Sequence, residues 1–206
     1  MADKVRQHWD AVWSNRRPHE VSWYEPDPSV SRRLIEQVTR PDQAVVDIGG
    51  GASRLVDLLL HDGFQDLTVL DVAAAALDQA RQRLGARASL VRWEVADVTR
   101  WDPGRPFALW HDRAVFHFLV EDEDRRRYLD TLRSAVADGG HVVLATFGPS
   151  GPEECSGLPV RRQGRADLVE ALGADFSPVE LLDVVHRTPL GADQAFLYGL
   201  FRRDGA

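Results

Sequence analysis

From about residue 44 the chain alternates between short apolar runs and longer amphipathic stretches. VVDIG (45–49), LTVLD (67–71), SLVRWEV (89–95), FALWH (107–111) and HVVLATF (141–147) are rich in β-branched and aromatic residues, and each predicts a strand. Between them lie helical patterns. SRLVDLLLHDG places Leu55, Leu58 and Leu59 on one face and offers Gly63 as a stop; AAALDQARQRLG ends at Gly85. DEDRRRYLDTLRSAVADGG carries a stripe through Tyr128, Leu129, Leu132, Ala135 and Val136 and closes at Gly139 and Gly140. Alternating strand and helix predicts a doubly wound, mainly parallel α/β sheet.

Past the fifth strand the pattern changes. GPSGPEECSGLPV (148–160) predicts a long Pro/Gly-rich loop at the strand's ligand-binding end. A short helix near 165–173 follows, then VELLDVVHRT and AFLYGLFRR, separated by PLGADQ, predict a closing antiparallel hairpin. Ahead of the first strand stand HWDAVW, VSWYEPDPSV and the helix pattern SRRLIEQV, with Trp9, Trp13 and Trp23 together in one segment. The expected organisation is one domain over 1–206: an aromatic N-terminal lid (1–40), a ligand-binding core (41–147), and a loop with closing hairpin (148–206).

Asp47, Asp71, Asp97 and Asp112 each close, or nearly close, one of these apolar runs. In open α/β sheets ligands bind beyond the carboxyl ends of the strands, so acids there are placed to meet a ligand. The turn DIGGGAS brings Gly49 and Gly51 to the first strand's end, where a missing side chain lets a ligand lie against the backbone. The dinucleotide fingerprint would need a third glycine where Arg54 stands, so a pyrophosphate is poorly provided for. Asp71 sits where a carboxylate accepts from both hydroxyls of a ribose, which suits either an NAD-type or an adenosyl cofactor. Asp97 separates the two: it can accept from an adenine amino group while Val98 packs on the ring and Val72 covers the nucleoside's other side.

Composition narrows the classes. Twenty-five Lys plus Arg against thirty-two Asp plus Glu give a net charge of −7, which argues against nucleic acid as a partner. The one cysteine, Cys155, excludes an internal disulfide, and the histidines show no metal-ligand spacing. The start has no apolar leader and no stretch is apolar enough to span a bilayer, so a cytoplasmic protein without membrane contact is expected. Oligomeric state is not readable from the sequence.

The glycine turn and the acids after strands two and three resemble the class I S-adenosylmethionine-dependent methyltransferases over roughly residues 40–147. There D-x-G-x-G and the two later acids form the cofactor site, which implies Asp47, Gly49, Gly51, Asp71 and Asp97 here, a seven-stranded Rossmann-like sheet, and S-adenosylhomocysteine as product. The flanks are similar to two groups within that family, the elongation-factor lysine methyltransferases and the thiopurine-type enzymes. In both, an aromatic pair like Trp9 and Trp13 and a later tryptophan like Trp23 close over the cofactor. WHDRAVFHF resembles the segment those groups carry after the fourth strand, with Asp112 and Arg113 at matching positions, Ala114 where glycine is usual, and Ser53 matching a serine of the lysine group's first turn.

The implied activity is methyl transfer to a nucleophilic N, S or O, with a small molecule as expected acceptor and a protein lysine as alternative. A non-catalytic cofactor-binding module and an NAD-dependent oxidoreductase are the competing classes. Arg113 is expected to reach the cofactor carboxylate or an anionic acceptor; Tyr24, Asp112 and His117 are candidates for the acceptor side, and His117 the candidate general base. Simpler readings stand beside these. Trp9 and Trp13 suit a face packed on the sheet, Asp112 suits a helix cap, and Cys155 suits a loop contact.

Overall fold

The computed structural model describes residues 2–205 and, from residue 4 on, their side chains. Five strands, β1 (Val45–Ile48), β2 (Leu67–Asp71), β3 (Val91–Val95), β4 (Phe107–Arg113) and β5 (Val136–Phe147), run parallel, and β6 (Phe176–Arg187) and β7 (Asp193–Arg203) complete a seven-stranded sheet in the order β3-β2-β1-β4-β5-β7-β6. The β7 strand enters antiparallel to both β5 and β6, as the closing hairpin predicts. Helices α1 (Ala2–Asn15), α2 (Ser29–Val38), α3 (Leu55–His61), α4 (Ala74–Leu84), α5 (Asp122–Ala135) and α6 (Arg165–Leu172) supply the crossovers and the flanks. Among the described residues no helix is long and apolar enough to cross a membrane.

The near-continuous apolar runs of β1 and β2 follow from their central place, since every residue of both strands is buried. By contrast the edge strand β3 exposes Arg92 and Val95. Two cores result, one on each face of the sheet. One gathers Leu34, Ile35, Leu55, Leu59 and Leu77 against Val45, Val69 and Val143; the other gathers Trp110, Tyr128, Leu132, Leu168 and Phe201 against Val46, Ile48 and Leu144. Each such side chain contributes roughly 1.5–3 kcal/mol by leaving water.

Several boundaries differ from the sequence reading. In α3 the buried residues are Leu55, Val56 and Leu59, while Leu58 is only half-buried. The strand expected at 141–147 begins at Val136 instead, where α5 stops. Val136 pairs with Phe107, the register slips before Leu109, and Gly139 with φ +72 takes up the slip as a bulge. A helical stripe cannot reveal this, because burial of Val136 serves strand and helix equally well. The segment 148–160 is also more ordered than a loop: Glu154–Cys155 pairs with Leu158–Pro159 in a small hairpin. It is tied down by Arg161 N donating to His117 O (2.8 Å) and Gln163 N to Phe147 O (2.9 Å).

Ala114, immediately after β4, holds φ +79, a region that an alanine occupies at a cost of about 1–2 kcal/mol. Its N–H donates to Ala145 O at 2.9 Å, which fixes the backbone there. Glycine relieves that strain but loosens the unfolded chain by roughly 0.4–1 kcal/mol. Ala114→Gly is therefore expected to be neutral to stabilising by up to about 1 kcal/mol. Urea unfolding checks it, and a destabilisation of similar size means that Ala114 carries no such strain.

Candidate functional site

The site is built around the turn that follows β1. Gly49 (φ +64) and Gly51 (φ +40) hold left-handed conformations, and the N–H groups of Gly49 and Gly50 both donate to Leu70 O (2.7 and 3.3 Å). Side chains are excluded for lack of room as well as for φ. A Cβ on Gly49 would run into Val115, one on Gly50 into the Asp47 carboxylate, and one on Gly51 would stand 2.7 Å from Asp71 Oδ2. The turn thus keeps backbone and a carboxylate oxygen open along one wall of a cavity beyond the strand ends.

Asp71, at the tip of β2, is only 7% exposed, and its Oδ1 accepts from Ala73 N (2.8 Å). Burial pushes its pKa up to about 7, with the charges of Asp47 and Asp10 adding and the N–H groups of Ala73 and Val72 opposing. Asp97 lies two residues past β3 and caps a short 3₁₀ turn, Val98–Arg100, its Oδ1 accepting from Thr99 N (2.9 Å) and Thr99 Oγ1 (2.7 Å). Val72 and Val98 line the same cavity. Two carboxylates and two valines around an open glycine turn form a set that suits an adenosyl group, with hydroxyls and an amino group to donate and a flat ring to cover.

The N-terminal aromatics lie across the top. Gln79 of α4 donates through Nε2 to Trp13 O (2.7 Å), and Asp10 Oδ1 meets Ala75 N at 3.5 Å, so α1 is seated on α4. Trp23 takes both Trp9 and Trp13 edge-on, with centroids 5.8 and 6.0 Å apart, and Trp9 meets Phe118 at 5.0 Å. These rings pack on one another and also line the cavity, together with Tyr24. The packing alternative is met, and the same rings face the cavity.

At the far end stands a polar cluster that sequence reasoning largely missed. Arg113 Nε donates to Tyr198 Oη (2.8 Å), its Nη1 to Trp23 O (2.9 Å), and its Nη2 lies 3.1 Å from Glu25 Oε1. Burial would push Glu25 up, yet His186 and Arg113 outweigh it and hold the carboxyl below its ordinary value. Beside them His111 joins Asp47 Oδ1 (2.7 Å) to Ser31 Oγ (2.9 Å), tying β4, β1 and α2 together. Glu25, Ser31 and His111 carry no motif of their own. Only the acid after SWY, on a segment already expected near the ligand, offered a signal.

Of the residues singled out in the sequence, Trp9, Trp13, Trp23, Tyr24, Asp47, Gly49, Asp71, Val72, Asp97, Val98, Arg113 and His117 line this one cavity, as does Cys155. Gly51 lies beneath it against Asp71. Asp112 does not belong there. It is 0% exposed, with Oδ1 accepting from Val115 N (2.8 Å) and Oδ2 from Phe116 N (3.1 Å) and Tyr128 Oη (2.6 Å), so every contact points into the opposite core. Asp112 therefore does not face the acceptor side; nor is it a helix N-cap, since it lies near the end of β4 and braces the turn after it, where Val115 holds the N-cap position. Arg113 is largely occupied by Glu25, Tyr198 and Trp23. His117 is buried, and a general-base role conflicts with its bonding: Nδ1 already faces Phe147 N–H at 3.3 Å, and burial together with Arg113 pushes its pKa down to about 3. Among the described residues no cluster of three or more His, Cys, Asp or Glu is arranged to hold a metal ion.

Comparison with known proteins bears on the domain and the fold. The profile of the methyltransferase domain family matches residues 46–142. A malonyl-[acyl-carrier protein] O-methyltransferase of Paenibacillus sp. (strain JDR-2) is 30% identical over 129 residues, covering 59% of this chain and 46% of that protein. The eEF1A lysine and N-terminal methyltransferase of Mus musculus is 23% identical over 118 residues, covering 57% of this chain and 17% of that protein. The chain thus spans less than half the length of these curated relatives. Among solved structures, the N-methyltransferase NodS from Bradyrhizobium japonicum WM9, in complex with S-adenosylhomocysteine, superposes with a TM-score of 0.75 at 19% identity over 98% of this chain and 99% of that one, which establishes the common fold. Residues 46–142 thus match the methyltransferase domain family, and the chain is similar to S-adenosylmethionine-dependent methyltransferases in sequence and in fold.

Proposed function

We propose that this protein transfers the methyl group of S-adenosylmethionine to a nucleophilic N, S or O of a small-molecule acceptor. The observation that carries this reading is one continuous cavity running from the Asp71 and Asp97 carboxylates, under the three tryptophans, to the buried cluster at Arg113 and His117. In this reading residues 41–147 hold the cofactor, 1–40 close over it, and the hairpin segment within 148–206 walls the acceptor end.

When bound, the cofactor supplies an already activated sulfonium methyl, so the protein's work is alignment and exclusion of water rather than covalent chemistry. Asp71 would accept from the ribose hydroxyls and Asp97 from the adenine amino group, while Val72 and Val98 pack on the nucleoside. Trp9, Trp13 and Trp23 present rings whose quadrupole favours a nearby cation by roughly 0.5–2 kcal/mol each. A small acceptor is supported by the depth of the acceptor end, where His117, Phe147 and Cys155 are all buried. The unpaired Cys155 suits a reducing compartment, and a cytoplasmic location is part of the proposal.

Calorimetry against S-adenosylhomocysteine and NAD tests the cofactor. Saturable binding of the first and none of the second is expected, and binding of NAD alone would sink the reading. A screen of amines, thiols and carboxylic acids for S-adenosylmethionine-dependent methylation then separates an enzyme from a binding module: turnover of no compound, with the cofactor bound tightly, favours the module. Turnover of a lysine-bearing peptide and of no small compound favours the lysine enzyme.

A further inference from the structure

The inner end of the cavity holds a donor with nothing to donate to. The only lone pair of a neutral His117 that faces the backbone is Nδ1, and it meets Phe147 N–H at 3.3 Å. A peptide N–H can only donate, so Nδ1 is the acceptor and the ring's proton sits on Nε2. That Nε2 is buried without a partner, in a residue that lines the cavity. An unmet buried donor costs about 1–3 kcal/mol, which an oxygen of a bound molecule entering the cavity would relieve.

The ring is also held in place. It stacks on Phe147 at 4.4 Å and 27°, meets Phe118 edge-on at 4.5 Å, and its own backbone carbonyl accepts from Arg161 N at 2.8 Å. The charged groups around this end include Arg113 and Glu25, ion-paired with each other at 3.1 Å. An unmet donor at this end of the pocket suits an oxygen acceptor. We infer that the acceptor bears a carbonyl or carboxylate oxygen, which His117 Nε2–H holds, and that His117 is a specificity-determining donor rather than a base.

The inference rests on the methyl-transfer reading and refines it. A donor placed on the attacking lone pair would weaken the nucleophile, so the oxygen held is one other than the attacking atom. With pKa pushed down to about 3, the neutral donor form is present throughout the working range of pH. An ammonium has no lone pair to offer this donor and is disfavoured.

Nitrogen-detected NMR of the imidazoles in protein saturated with S-adenosylhomocysteine tests this without knowing the natural acceptor. His117 is expected to show protonated Nε2 and bare Nδ1 from pH 5 to 9; a protonated Nδ1, or titration near the ordinary 6.5, overturns the inference. Benzoate and benzamide, probes that suit an aromatic pocket, are expected to move the Nε2 proton while benzylamine does not. Absence of a shift with either oxygen-bearing probe also overturns it. In the variants, benzoate affinity is expected to fall about tenfold in His117→Phe and to stay within about threefold in His117→Gln, whose amide N–H reaches the same place; equal losses mean a packing role only. S-adenosylhomocysteine affinity separates the two levels. If wild-type protein does not bind it, the methyl-transfer reading fails; if it binds and the probes do not, only the oxygen-holding inference fails.

Discussion

Asp71→Asn is expected to make the protein more stable at pH 8 and, at the same time, a poorer binder of the cofactor. Burial raises the Asp71 carboxyl from 3.8 to about 7, so between those values the folded chain holds a proton that the unfolded chain has lost. Stability associated with this group is therefore complete at acid pH and lost as pH rises toward and through about 7. Asparagine never ionises and escapes that loss, while its carbonyl oxygen still accepts from Ala73 N–H. The stability difference between variant and wild type is expected to move in the variant's favour by about 2 kcal/mol between pH 5 and 8, read from urea unfolding in the absence of ligand.

Binding runs the other way. A carboxylate accepting two ribose hydroxyls contributes through hydrogen bonds to a charged group, about 1.5–3 kcal/mol, which the amide cannot match. S-adenosylhomocysteine affinity is expected to fall roughly 10- to 100-fold in the variant. In wild-type protein it is expected to weaken below about pH 7, because protonated Asp71 has lost an acceptor. If the variant binds normally at pH 8, Asp71 does not meet the ribose; if its relative stability does not move with pH, the carboxyl is not held protonated by burial.

How much of this was legible depended on whether a feature was local. The parallel order of the first five strands followed from alternation alone, and Asp71 and Gly85 marked element ends that the structure keeps. The carboxyl ends of the strands, read as a ligand edge, hold the glycine turn, Asp71 and Asp97 in one cavity. What failed to show was anything set by partners distant in sequence. Val136 begins a strand because Phe107 pairs with it, and no helical count within 122–140 contains that fact. Glu25, Ser31 and His111 reach the site through contacts made across the fold, to Arg113, His186 and Asp47, so each looks ordinary where it stands. His117 shows the same limit in a sharper form: its place beyond the fourth strand was readable and the structure sets it on the cavity wall, but its role turns on which nitrogen faces Phe147.

Asp112 was readable as a cap or as an acid facing the acceptor; the structure makes it instead a brace for the turn after β4, with the largest consequence for folding. Its two oxygens serve three donors, Val115 N–H, Phe116 N–H and the Tyr128 hydroxyl, at a site with no exposure to water. Tyr128 Oη in turn accepts from Trp110 Nε1 at 3.0 Å, so the chain of bonds reaches the centre of the second core. Burial raises the Asp112 carboxyl to about 6, a cost the three donors offset in part. Asp112→Ala would strand all three donors, at about 1–3 kcal/mol for each one left unmet, and not every loss is recovered by relaxation. A destabilisation of about 3–5 kcal/mol is expected, against a typical total of 5–15 kcal/mol. Tyr128→Phe removes one donor, leaves both backbone bonds and strands the Trp110 indole N–H, so about 1–3 kcal/mol is expected with S-adenosylhomocysteine affinity unchanged. Urea unfolding of both variants, with calorimetry on whichever remains folded, separates the two roles. An Asp112→Ala protein that folds as well as wild type but no longer methylates its acceptor would return Asp112 to the ligand side; a large stability loss together with normal binding in Tyr128→Phe fixes it as the clamp that holds the turn after β4.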